Sequence, residues 1–134
     1  MGLGKIISII RAYFNYIQNY SDYYRLNLSV RGERFVRMLQ NNEIENAESY
    51  TELTVELLIL VKDAVSLGVE DGTIRKDLDP LMTTMFIGAA IEAAALVTPE
   101  QRVLSQQLGL DTERYTQNSI DVILRGITGE QTNT

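Results

Sequence analysis

The chain of 134 residues contains no cysteine, no histidine and no tryptophan, and only two prolines. The missing cysteine and histidine exclude disulfides, thiol nucleophiles, ordinary zinc ligands and imidazole acid–base catalysis. An enzyme made from this chain would need Asp, Glu, Lys or Tyr as general acid and base. No pair of these residues has a spacing that indicates an acid–base pair. We predict that the protein is not an enzyme and has no cofactor and no metal site.

The net charge is −6, which makes the chain a poor candidate for holding a phosphate backbone by itself. The charge is uneven: residues 1–40 carry six basic and two acidic side chains, whereas residues 41–134 carry six basic and sixteen acidic ones. The most apolar stretch, residues 81–97, is interrupted by Glu92 and two threonines, so it does not read as a membrane span. With no secretory signal visible, we expect a cytoplasmic protein without a membrane partner.

Apolar residues recur at intervals of three and four, which is typical of amphipathic helices, and no strand-like alternation competes with this pattern. The length suits one domain. We therefore predict an all-α, antiparallel helical bundle over residues 1–128, with a polar tail over 129–134 that frays. The predicted helices cover residues 3–19, 50–69, 80–97, 99–109 and 112–127, with a short turn over 22–28 and a less certain helix within 29–49.

Capping chemistry marks the predicted ends of these helices. Asp, Thr and Pro favour helix starts, and glycine readily takes the left-handed conformation that ends a helix. Such signals occur at Gly72 or alternatively Gly68 (end), at Asp79 with Pro80 (start), at Thr98 with Gln101 (capping box) and at Asp111 (start).

The helix over 50–69 is apolar around more than half of its circumference, which predicts a central helix covered on several sides. Its acidic residues Glu48, Glu52 and Glu56 are spaced to share one face. A solvated face is the main interpretation of this series, and a bound hard cation is the alternative.

Five of the seven tyrosines lie within twelve residues, at positions 13, 16, 20, 23 and 24. A tyrosine is most stable with its ring buried and its hydroxyl paired, so the cluster predicts core and interface packing. The same cluster could instead line a pocket for a flat or amphipathic ligand. The small residues around Glu92 allow another helix to approach closely and suggest self-association. Glu92 itself could face a cavity, a partner subunit or solvent.

Residues 61–80, VKDAVSLGVEDGTIRKDLDP, resemble the link between two C-terminal helices of TetR-family transcriptional regulators. Residues 11–14 and 22–26 resemble the start of the same regulatory domain. The helix after Pro80 and the last helix after Asp111 resemble the family's dimerisation pair. The family's N-terminal helix-turn-helix unit has no counterpart in these 134 residues, so DNA would be bound only through a domain outside them.

The resemblance implies a homodimer and a small, mostly apolar effector in a cavity between helices 3–19, 50–69 and 80–97. It also implies that the effector favours one spacing of the N-terminal helices and so controls DNA binding. Candidate effector contacts, chosen by position and residue type, are Tyr13, Phe14, Ile17, Leu57, Val61, Phe86 and Ala90. Candidate dimer contacts are Met85, Gly88, Ala89, Glu92, Ala93, Ser119, Val122 and Ile123. The alternative is a ligand-free helical module for protein–protein interaction that lacks a DNA reader.

Overall fold

A computed structural model of the chain describes residues 1–22, 24 and 32–129. Within these residues the protein forms six helices and no strands, which confirms the predicted all-α class. The helices are α1 (Gly2–Asn19), α2 (Glu33–Gln40), α3 (Ala47–Asp71), α4 (Pro80–Ala95), α5 (Pro99–Gln107) and α6 (Thr112–Thr128). Most of the predicted turn over 22–28 and residues 130–134 of the predicted tail lie outside the described residues.

The predicted capping signals are confirmed. The side chain of Asp79 accepts a hydrogen bond from the backbone of Met82 at 2.8 Å, with Pro80 in the first turn of α4. Thr98 and Gln101 form the reciprocal capping box of α5. Asp111 caps α6 by accepting a hydrogen bond from the Glu113 N–H at 3.0 Å. The residues that end two helices in the left-handed conformation are Gly72 after α3 and Gly129 after α6.

The apolar core lies where α1 packs against α3, α4 and α6. Helix α1 supplies four buried residues at spacings of four, four and three, which fall on one helical face: Ile6, Ile10, Phe14 and Ile17. The other helices supply the facing residues Val61, Ala64 and Val65 (α3), Ile87 and Ile91 (α4), and Ile120, Ile123 and Ile127 (α6).

The first half of α3 differs from the prediction. A helix covered on several sides was expected, but Leu53, Leu57 and Leu60 are each more than half exposed. The buried residues of α3 lie in its second half and at its first turn, while Leu57 borders a cleft that separates α3 from α1. The periodicity identifies an apolar surface, but it does not state whether a neighbouring helix reaches that surface.

No single helix of the described residues is long and apolar enough to cross a membrane. Only α4 and α5 together reach the required length and apolar character, and they are bent by 67° relative to each other.

Candidate functional site

A cleft with a volume of about 800 Å³ lies between α1, α3 and α4. Helices α1 and α3 run in opposite directions along it, because Gly2 lies against Gly68 while Tyr16 and Thr54 border the same cleft. The cleft walls are mainly aliphatic and aromatic, and its volume falls within the range of about 300–1,000 Å³ that is usual for small-molecule sites. These properties make the cleft a candidate ligand site.

A polar cluster lies in the apolar cleft. It is formed by Tyr13 of α1, by Tyr24, which follows α1 in the chain, and by Glu92 of α4. The two tyrosine hydroxyls are hydrogen-bonded to each other. The Tyr24 hydroxyl donates to Oε2 of Glu92 at 2.6 Å. Since each hydroxyl has one proton, Tyr13 is the donor to the Tyr24 oxygen, and its own hydroxyl oxygen lies 3.4 Å from the same Glu92 oxygen. The cluster therefore connects α1 to α4 across the cleft through side chains that are 68 and 79 positions apart.

The aromatic rings around this cluster pack edge to face. The Tyr13 and Tyr24 ring centroids are 6.1 Å apart with planes at 70°, and those of Tyr16 and Tyr24 are 6.2 Å apart at 83°. Such T-shaped contacts place the positive edge of one ring on the negative face of the next.

The Tyr24 side chain is only 8 % exposed. Burial raises the pKa of its hydroxyl well above the ordinary value, and the hydrogen bond that it donates to Glu92 raises this pKa further. Tyr24 is therefore a stable hydrogen-bond donor over the physiological pH range. The structure also answers the question of where Glu92 lies, because its carboxylate borders the cleft, accepts a hydrogen bond from Tyr24 and lies 3.4 Å from the Tyr13 hydroxyl.

A second opening is a groove of about 770 Å³ between α4 and α6. Its lining is predominantly apolar and includes Met82, Phe86 and Val122, which are 75 %, 62 % and 61 % exposed. These side chains form an uncovered apolar face in the isolated chain, which is the feature expected of a protein–protein contact.

A third opening, of about 850 Å³, lies between the end of α1, helix α5 and the start of α6. Its lining is more polar and includes Arg102 and Arg114. Gln18 donates a hydrogen bond to the Thr116 hydroxyl at 2.9 Å beside this opening and so connects α1 to α6.

The residues predicted to contact an effector lie in three different regions of the structure: the cleft, the groove and the core. Tyr13, Leu57 and Val61 line the cleft between α1, α3 and α4. Phe86 and Ala90 line the groove between α4 and α6 instead. Phe14 and Ile17 are buried in the core and line none of the three openings.

The predicted dimer contacts are also divided. Ser119, Val122 and Ile123 line the groove between α4 and α6. Ala93 is exposed on α4 and lines none of the three openings. The remaining four predicted contacts line the cleft rather than the groove: Met85, Gly88, Ala89 and Glu92.

Sequence reasoning did not select Tyr24 or Tyr16 individually for the cleft, nor Met82 for the groove. The crowding of tyrosines over residues 13–24 was the available signal for the first two. For Met82 the available signal was its place on a helix that is apolar on every side.

The acidic series Glu48, Glu52 and Glu56 is exposed along α3, as the solvated interpretation predicts. Among the described residues, no three acidic side chains lie close enough together to hold a metal ion.

No family model, curated protein or solved structure matches this chain.

Proposed function

We propose that this chain is the effector-sensing and dimerisation domain of a TetR-type transcriptional regulator. The observation that carries the proposal is the apolar cleft between α1, α3 and α4 with one polar cluster, Tyr13–Tyr24–Glu92, inside it. The resemblance of residues 61–80 to the family's inter-helix link supports the same conclusion. DNA would be bound by a helix-turn-helix domain N-terminal to α1.

The effector would be a small, largely apolar molecule. An apolar cleft of this size gains most of its affinity from burying apolar ligand surface, while a few polar groups set the ligand's orientation. The Tyr13–Tyr24–Glu92 cluster is the polar feature positioned for that role.

Two copies would associate through the groove between α4 and α6, where the exposed side chains of Met82, Phe86 and Val122 would be covered. Burial of apolar surface is the main driving force of such association. The groove and the cleft lie on different sides of α4, so one helix would contact both the effector and the second subunit.

The effector would act by favouring one arrangement of α1 relative to α4, because both helices line the cleft and share the tyrosine–glutamate cluster. A ligand shifts such an equilibrium only by its difference in affinity for the two arrangements. The position of α1 would then determine the spacing of two DNA-binding domains in the dimer.

Two helical glycines provide a matched pair of test variants. Gly88 lines the cleft and Gly126 lines the groove, and an added side-chain carbon meets open space at both positions. Gly88→Leu is expected to reduce binding of the neutral fluorescent probe N-phenyl-1-naphthylamine at least about tenfold while the protein stays dimeric. Gly126→Leu is expected to weaken the dimer in sedimentation velocity and to leave probe binding to the cleft intact.

The outcomes separate the proposal from its alternative. A chain that dimerises but binds the probe nowhere would favour a ligand-free interaction module, which the exposed apolar groove also suits. A wild-type chain that stays monomeric at high concentration would count against the proposed regulator domain. Equal effects of the two variants on probe binding would contradict the assignment of the effector to the cleft.

A further inference from the structure

The first turn of α1 is capped by side chains from a distant segment. Helix α1 has no side-chain cap of its own. The Gly2 N–H donates to Oδ2 of Asp71 at 2.8 Å, and the Leu3 N–H donates to the Thr73 hydroxyl oxygen at 3.2 Å. These two bonds satisfy amides that a helix start otherwise leaves without an intrahelical partner.

Asp71 is itself held in position by Thr73. Its other oxygen, Oδ1, accepts from the Thr73 N–H at 3.0 Å and from the Thr73 hydroxyl at 2.6 Å. The hydrogen bond from the Thr73 hydroxyl, followed by those from the Gly2 N–H and the Thr73 N–H, lowers the pKa of the Asp71 carboxyl to about 2. Asp71 therefore stays ionised and acts as a permanent acceptor at the positive end of the α1 dipole.

The backbones meet closely at the same point. A side-chain carbon added to Gly2 would lie 2.0 Å from the Gly68 nitrogen, so only glycine fits there. Ile74, the residue after Thr73, donates its N–H to the Gly68 carbonyl at 3.0 Å. The start of α1 thus rests directly on the end of α3 and the segment after it.

The same segment caps the end of α6. The Arg75 N–H donates to the Ile127 carbonyl at 2.9 Å, and its Nη1 donates to the Gly126 carbonyl at 3.1 Å. The guanidinium is oriented by Asp77, with contacts of 2.9 Å from Nε and 2.5 Å from Nη2. A cation at this place also matches the negative end of the α6 dipole.

We propose that residues 71–77 form a two-sided clamp that fixes the first turn of α1 relative to the last turn of α6, so that opening at one end loosens the other. Asp71 and Thr73 form the α1 side and Arg75 with Asp77 forms the α6 side, only two residues apart. The clamp does not depend on the proposed function. If that function holds, the clamp would connect the dimerisation helix α6 to the end of α1 that leads to the DNA-binding domain.

Amide hydrogen exchange followed by NMR tests the clamp on the full chain. The Leu3 amide reports on the α1 side and the Arg75 amide on the α6 side. At similar volume, Thr73→Val removes both the acceptor for Leu3 and the hydroxyl donor to Asp71. It is expected to speed exchange at both amides by at least about three- to tenfold, since that range corresponds to one lost hydrogen bond. Arg75→Met is expected to speed exchange at Leu3 reciprocally.

Two further variants control the experiment. Lys76→Met changes an exposed neighbour in the same segment and is expected to leave both exchange rates unchanged. Thr73→Ser keeps the hydroxyl and is expected to restore rates close to wild type. If Thr73→Val speeds exchange only at the Leu3 amide, and Arg75→Met only at the amide of position 75, the two contacts are independent and the clamp is refuted. Because neither ligand nor DNA enters the measurement, that failure would leave the proposed function untouched.

Discussion

Helices α1 and α4 are both rich in apolar residues, but they use them differently. Helix α1 buries one apolar face completely inside its own chain and leaves its other face largely polar. Helix α4 is apolar on every side, and only its Thr83, Thr84, Ile87 and Ile91 positions are buried, while Met82, Met85 and Phe86 are exposed. A helix with one apolar face can bury that face entirely within its own chain, whereas a helix that is apolar all round keeps apolar surface that its own chain does not cover.

The largest expected change in the free energy of unfolding comes from replacing a phenylalanine of α1, and the same replacement in α4 provides the comparison. Phe14→Ala in α1 is expected to lower the free energy of unfolding by about 3–5 kcal/mol, because it empties a core position that is 2 % exposed. Phe86→Ala in α4, which removes a ring that is 62 % exposed, is expected to cost less than about 1 kcal/mol in the monomer. Urea unfolding at low protein concentration measures both values, and similar losses would break the contrast.

The second prediction concerns the place where α1 and α4 meet. Tyr24→Phe is expected to lower the free energy of unfolding by about 1.5–3 kcal/mol, because the Glu92 carboxylate loses its 2.6 Å hydrogen bond in a partly buried setting. Tyr20→Phe is the control, since Tyr20 is 58 % exposed and is expected to change stability little. An equal loss in the two variants would show that the cluster adds nothing specific.

The same tyrosine gives an alkaline pH dependence. Because the folded-state pKa of Tyr24 is raised above its ordinary value of 10.0, its contribution to stability is complete below pH 10 and falls as the pH rises toward the folded value. Tyr24→Phe is expected to make the fall in stability above pH 10 shallower. Urea unfolding at a series of alkaline pH values measures the slope, and an unchanged slope would contradict the prediction.

The third prediction contrasts the buried and exposed faces of α1 itself. Gly2→Ala is expected to cost about 1–3 kcal/mol, because the added methyl group collides with the Gly68 backbone. Gly4→Ala is expected to gain about 0.5–1 kcal/mol, since that position is exposed and meets open space. Thermal unfolding measures the stability of both variants, and a Gly2→Ala variant more stable than the wild type would contradict the close contact between Gly2 and Gly68.

The smallest effect is expected from Asp71 at acid pH. Its pKa is lowered from 3.8 to about 2, so its contribution to stability is complete above pH 4 and is lost as the pH falls toward 2. Asp71→Asn is expected to flatten the loss of stability between pH 4 and pH 2. Asp63→Asn makes the same charge change at an exposed position of α3, away from the start of α1. This variant is expected to lose stability between pH 4 and pH 2 as steeply as the wild type does, and urea unfolding at each pH measures the difference.

The helix boundaries were predictable because capping is local chemistry. The carboxylate of Asp79 reaches an amide three residues away, and Thr98 with Gln101 does the same. The first turn of α1 was not predictable in this way, since its caps Asp71 and Thr73 are about 70 positions distant.

The candidate cleft was only partly predictable. Tyr13, Leu57 and Val61 were selected from apolar periodicity and do line it. The assignment of Glu92 to the cleft and of Phe86 to the groove depends on which neighbour covers each side of α4. Periodicity contains no such information for a helix without a polar face.

The helical class, the positions where most helices begin and end, and the absence of cysteine and histidine chemistry all follow from the amino-acid sequence. Those properties depend on residue type and on contacts within one or two helical turns. The packing of the helices is what brings Tyr13, Tyr24 and Glu92 into one hydrogen-bonded cluster and joins the ends of α1 and α6 through residues 71–77. Contacts between distant positions depend on how whole helices pack, which no local pattern specifies.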